Sequence, residues 1–165
     1  MNMMMTAPKT TGVPVVRQLQ LTDHAEWLRL RHALWPNCSD DMHVLEMRKF
    51  LDHPEQTEVF VYETEPGKLG GFVEVCVRDR VDGSYSRRVG YVEGWYVEPD
   101  QRHQMIGRHL LKAAEKWVAR QGITEIASDC DIDDESALRV HLATGFRETF
   151  RLVHFLKRIE RNGRG

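Results

Sequence analysis

The sequence predicts an α/β fold of the α+β kind: a mixed, mostly antiparallel sheet with one parallel β-α-β crossover and helices on both faces. Three observations predict it. Three short apolar runs, Val59–Tyr62, Leu69–Val77 and Val89–Val97, follow one another with turn residues between them, as in an antiparallel meander. A helical stripe then separates the run Val89–Val97 from the run Ile123–Ser128, and such a unit joins parallel strands by a right-handed crossover. Finally, 165 residues with 41% hydrophobic content suit one domain with a real core. That domain is expected over residues 14–158, with flexible tails at 1–13 and 159–165.

The elements follow in order. Val15–Leu19 alternates and reads as a first strand. Thr22 and Asp23 open a helix whose apolar side is Ala25, Leu28, Leu30 and Leu34, and Trp35-Pro36 ends it. Ser39-Asp40-Asp41 caps a second helix carrying Val44, Leu45, Met47, Phe50 and Leu51. Glu65-Pro66-Gly67-Lys68 is a turn between the first two meander strands. Asp82-Gly83 marks the next hairpin. Gly94 inside the third meander strand suggests a bulge or a close approach of another group. Ile106, Leu110, Ala113 or Ala114, and Trp117 form the crossover helix, which stops at Gln121-Gly122. Asp133-Asp134-Glu135 caps a helix through Ala137, Leu138, Val140, Leu142 and Ala143. Glu148–Lys157 reads as a last strand.

Bulk properties exclude several classes. Net charge is -2, with no basic arm, so nucleic acid is not an expected partner. No segment approaches the ~20 apolar residues of a membrane span. The N-terminus lacks the pattern of a signal peptide, and Cys38, Cys76 and Cys130 form no CxxC, so a cytoplasmic protein is expected. Met3–Met5 reads as part of a tail rather than a copper site. Asp129-Cys130-Asp131-Ile132-Asp133 opens like a calcium loop. However, Asp134 replaces the required glycine and Val140 the required glutamate, so no metal is expected.

The stretch Tyr91–Leu111, YVEGWYVEPDQRHQMIGRHLL, carries the chemistry. A turn opening a helix presents backbone N–H groups in one direction, which favours phosphate. Arg102, His103, Gln104, Met105, Ile106, Gly107 and Arg108 make up this turn. Glu93 lies just upstream, and Asp129 ends the next strand. In open α/β sheets ligands gather at the carboxyl ends of strands, so the two carboxylates can converge on one amine. The other reading of Glu93 is an exposed face of an alternating strand.

The segment Val97–Gly107, V-E-P-D-Q-R-x-x-x-I-G, resembles the acetyl-coenzyme-A signature of the GCN5-related N-acetyltransferases (GNAT). Ala143-Thr144-Gly145-Phe146 resembles that family's helix-Gly-Phe-strand motif. Leu34-Trp35-Pro36, Val92-Glu93-Gly94, Ala127-Ser128-Asp129 and Val140-His141 resemble stretches of aminoglycoside 6′-N-acetyltransferases. The resemblance covers about residues 15–158. It implies acetyl-CoA as cosubstrate and a polycationic aminoglycoside as acceptor, acetylated directly at its 6′-amine.

Site roles are also implied by the resemblance. Trp95, Tyr96 and Val97 would pair with the pantetheine arm, and Arg102–Arg108 would hold the pyrophosphate. Glu93 and Asp129 would hold the ammonium, Glu93 taking its proton. His141 stands where many members place a tyrosine that protonates the leaving thiolate; the other reading is a packed histidine. Trp35 is either a wall of the sugar site or core. Relatives are often dimers. Three positions depart from the family: Met105 replaces a usual glycine, Arg80 lies near a usual tyrosine, and Phe155 replaces another tyrosine. Met105 can still donate its N–H if the position does not need positive φ. The rival functions are acetylation of another amine (a polyamine, a small metabolite or a protein N-terminus) and a non-catalytic binding module.

Overall fold

The computed structural model of the chain describes residues 15–102 and 104–159. The expected tail 1–13 with Met3–Met5, residues 160–165, and His103 lie outside the described residues. The chain clusters into two compact units, one up to Asp129 and one from Cys130.

The first unit holds a five-stranded sheet. Its strands are β1 (Val16–Gln18), β2 (Thr57–Glu65), β3 (Lys68–Asp79), β4 (Arg88–Val97) and β5 (Ile126–Ser128), lying side by side in chain order. All neighbours are antiparallel except β4 and β5, which run parallel. The meander and the crossover are therefore present as the sequence predicts. Helices α1 (His24–Leu34) and α2 (Asp40–Asp52) precede β2, and α3 (Ile106–Arg120) is the crossover.

Strand periodicity assigns the two faces. Gly71 on β3 looks toward α3, since a Cβ there would stand 3.2 Å from Leu110. Phe72, the next residue, instead meets Trp35 at the end of α1, with ring centroids 6.4 Å apart. One layer of core, Trp27, Leu30, Met47 and Phe72, thus lies under α1 and α2. Ile106, Leu110, Ala114 and Val118 turn the buried face of α3 to the other side of the sheet.

Two local expectations are corrected. The buried face of α1 is Trp27, Leu30 and Arg31, while Ala25 is exposed. An apolar count could not find this face, because Arg31 is buried by pairing rather than by hydrophobicity. The helix also begins at His24, after a short 3₁₀ turn over Leu21–Asp23. The Asp23 carboxylate accepts from the Gln20 amide at 2.7 Å and from Arg17 at 2.6 Å, rather than capping α1. Helix α2 keeps its predicted cap: Ser39 Oγ accepts from the Met42 amide.

The second unit contains α4 (Glu135–Ala143). Asp134 caps it, accepting from the Ala137 amide at 2.9 Å. Gly145 follows with φ +101, a left-handed position that suits glycine. The predicted last strand, Glu148–Lys157, is not a strand: among the described residues, 146–159 join no ladder. An apolar stretch alone does not make a strand, which exists only when a neighbour accepts its backbone hydrogen bonds. The apolar side chains of that segment, among them Phe150, Leu152, Val153, Phe155 and Leu156, are exposed.

Candidate active site

The site is built around an irregularity in β4. Glu74 on β3 faces Gly94, yet the next residue, Val75, faces Val92. Glu93 is therefore an extra residue, a β-bulge that re-aims its side chain. The bulge has a local cause. A Cβ on Gly94 would lie 2.5 Å from the Trp35 indole and 3.3 Å from a Glu74 oxygen. Glycine is what lets the indole rest on the strand there. Gly94→Ala is expected to cost about 1–3 kcal/mol through overpacking. Urea denaturation followed by tryptophan fluorescence checks this; an unchanged midpoint would contradict it.

The bulge also lies where β4 and β5 part. Their ladder runs Gly90↔Ile126, Tyr91↔Ala127 and Val92↔Ser128 and then stops, while β4 continues to Val97. Asp129 follows directly after β5, so Glu93 and Asp129 stand at the mouth of the divergence.

The two carboxylates are joined by a chain of contacts. Arg78 grips Glu93 in bidentate fashion: Nη2 donates to both carboxylate oxygens, at 2.6 and 2.7 Å, and Nε donates to Oε1 at 3.0 Å. The Cys76 thiol donates to the same Oε1 at 2.9 Å. The guanidinium lies over the Tyr91 ring, 3.5 Å from its centroid. The Tyr91 hydroxyl then donates to Asp129 at 2.7 Å. Burial, and after it the bond to Glu93, pushes the Cys76 thiol up to about 12, so it stays protonated at neutral pH. Burial and the Asp129 contact likewise push the Tyr91 phenol up, keeping it a donor.

Behind this surface lies a buried polar cluster. Arg31 Nη1 donates to Glu74 at 2.5 Å, and Trp27 Nε1 donates to the same oxygen at 2.7 Å. Arg31 also pairs with Glu46 and stacks 4.6 Å from the Trp35 ring centroid. Burial pushes the Glu74 carboxyl up, and Arg31 and Trp27 draw it back part of the way. Trp35 is half-buried and packed on the core, as one of its two expected readings has it, and Arg31 stacks on its ring.

The loop after β4 leads into α3. Met105 precedes the helix with φ +64, in the left-handed region. The position does need positive φ, and methionine adopts it at a cost of about 1–2 kcal/mol. An added Cβ on Gly107 would make ordinary contacts with the Trp95 ring, the nearest at 3.5 Å, so this turn of the helix packs against that indole. Trp95 Nε1 donates to the Gly107 carbonyl at 3.1 Å, tying β4 to the first turn of α3. Arg102 is exposed and its Nε donates to the Val97 carbonyl at 3.0 Å. Gln104 and Arg108 are exposed too, whereas the Ile106 side chain is buried, so only its backbone can face a ligand. Tyr96 packs against Phe72.

His141 belongs to the second unit. Its Nδ1 lies 2.7 Å from the Ala137 carbonyl, which can only accept, so Nδ1 carries a proton. Its ring meets Phe146 edge-on, with centroids 5.2 Å apart. Tyr85 and Phe155 are each 92% exposed. No group of three or more metal-ligating side chains occurs among the described residues, and no helix is long and apolar enough to cross a membrane.

Sequence reasoning missed Cys76, Arg78, Tyr91, Arg31 and Glu74. Tyr91 shares a parity with Glu93, and Cys76 with Arg78, which was the available signal. Joining the pairs required the β3–β4 register.

Comparison with known proteins gives one answer. The acetyltransferase (GNAT) family matches residues 22–146. The chain is 37% identical to an aminoglycoside N(6′)-acetyltransferase type 1 of Klebsiella aerogenes, covering 87% of this chain and 96% of that protein. It is 39% identical to the enzyme of the same name from Stenotrophomonas maltophilia, covering 90% and 96%. Among solved structures it is similar to AAC(6′)-Iy in complex with the bisubstrate analogue CoA-S-monomethyl-acetylneamine, with a TM-score of 0.81 and 31% identity over 88% of this chain and 98% of that one.

Proposed function

The chain belongs to the GNAT acetyltransferase family, and from that premise we propose that it is an acetyl-CoA-dependent aminoglycoside 6′-N-acetyltransferase. The observation that carries this reading is the near full-length likeness to enzymes of that name. The neighbouring structures support the cosubstrate, since one is a complex with CoA and another with a bisubstrate analogue. Acetylation of the 6′-amine removes a positive charge from the antibiotic, and resistance follows.

The residues present fit a nucleotide thioester. A helix start with a left-handed residue before it and a glycine in its first turn suits a pyrophosphate. We assign that contact to Gln104, Met105, Ile106, Gly107 and Arg108, with Arg102 and His103 beside them. Trp95, Tyr96 and Val97, beyond the end of the β4–β5 ladder, take the pantetheine arm by strand addition. When bound, acetyl-CoA supplies an activated acyl carbon and a thiolate leaving group.

Glu93 and Asp129 hold the acceptor ammonium, and Glu93 takes its proton so that the lone pair can attack. Trp35 is the apolar wall beside them. His141 gives a hydrogen bond or proton to the departing sulfur. Transfer is direct: Cys76, the cysteine beside Glu93, is a protonated thiol and a poor nucleophile.

Residues 14–158 act as a single domain in this reading, supported by a family match that runs across both compact units. Cys38 and Cys76, which form no disulfide, support a cytoplasmic setting. The exposed run from Phe150 to Leu156 supports a homodimer, since a second copy would cover it. The net charge of -2 supports the absence of a nucleic-acid partner.

Thiol release from acetyl-CoA, measured with a panel of aminoglycosides and polyamines, tests the assignment. Turnover is expected with aminoglycosides that carry a free 6′-amine. Turnover with spermidine and none with any aminoglycoside would overturn it, and a calorimetric titration without heat of acetyl-CoA binding would overturn the cosubstrate.

A further inference from the structure

The acceptor carboxylate already has a cation on it. Three N–H contacts from Arg78 and one thiol contact fall on Glu93, and three of those four fall on Oε1. A carboxylate offers about four acceptor positions, so few remain for an incoming ammonium. The guanidinium is held flat by Tyr91, whose hydroxyl is committed to Asp129. Glu93 and Asp129 together carry two negative charges, and Arg78 cancels one of them.

We infer that Arg78 is a specificity-determining residue, a tethered cation that occupies the ammonium position at Glu93 and must be displaced by the acceptor. This rests on the acetyltransferase reading of the site. Displacement is affordable in the geometry. The Arg78 side chain is 43% exposed and Glu93 is 29% exposed, so the pair is solvated and the guanidinium can swing into water. An exposed pair of this kind is worth up to about 1 kcal/mol, which is about fivefold in an equilibrium constant. Arg78 thus weakens acceptor binding by a similar factor and penalises acceptors too small or too weakly charged to compete.

The test compares wild type, Arg78→Gln and Arg78→Lys in steady-state kinetics with one aminoglycoside bearing a free 6′-amine and with acetyl-CoA. For Arg78→Gln the aminoglycoside KM is expected to fall by about fivefold while the acetyl-CoA KM is unchanged. Arg78→Lys keeps a cation at the site and is expected to return the KM toward wild type. An aminoglycoside KM that rises or stays the same in Arg78→Gln overturns the inference and makes Arg78 a support for Glu93. A fall shared equally by the lysine variant overturns it as well, because the charge is then not the cause. Wild type without turnover of any aminoglycoside overturns the aminoglycoside assignment, and the inference with it.

Discussion

Arg31→Met is expected to destabilise the protein by about 3–5 kcal/mol, the largest stability change that any single substitution here should produce. Arg31 and Glu74 are each 1% exposed. With Arg31 gone, the Glu74 carboxyl is left in the core with only the Trp27 indole as donor. A charge there costs far more than the lost hydrogen bond, because the interior replaces the solvation that water gave it. A domain of this size has only about 5–15 kcal/mol in total, so the variant should melt well below wild type or fail to fold. Urea unfolding is the measurement. The double variant Arg31→Met with Glu74→Leu removes both charges and should recover much of the loss. A single variant as stable as wild type would contradict the account, since Glu74 would then tolerate burial without Arg31.

Glu93→Gln is expected to lower kcat/KM by about 10²–10⁴-fold, the range assigned to a general base. The substitution keeps the shape of the side chain and removes its charge and basicity. Stability should change little, since Glu93 is 29% exposed and its partner Arg78 is more so. Affinity for acetyl-CoA should be unaltered, because the cosubstrate's proposed contacts lie further along β4 and at the start of α3. Steady-state kinetics with an aminoglycoside, read beside calorimetry with acetyl-CoA, separates the two. A rate within about threefold of wild type would remove Glu93 from the chemistry.

What the sequence made legible follows from which forces act locally. Turn residues and apolar runs located the meander, and Gly94 announced either a bulge or a close approach; the structure has the bulge and brings the Trp35 indole against that glycine. Glu93 stood out as a carboxylate inside a strand and Asp129 as one at a strand end. Arg31 was not legible, since a helical stripe is counted in apolar residues and its burial depends on Glu74, 43 positions away. Arg78 was hidden for a related reason. Its reach to Glu93 depends on one extra residue in β4, and the parity of a strand beyond a bulge cannot be read without its partner. Met105 turned out to need the positive φ that its side chain disfavours. The segment 148–157 misled because apolar side chains describe a surface that wants a partner and say nothing about where the partner is.

The central claim is that this site acetylates an aminoglycoside at its 6′-amine. Two aminoglycosides that differ only in carrying an amine or a hydroxyl at the 6′ position test it most directly, with thiol release from acetyl-CoA as the readout. Release with the 6′-amine compound and none above background with the 6′-hydroxyl compound is the predicted result. Equal release with both would contradict the account, because the amine reaching Glu93 and Asp129 would then be a different one.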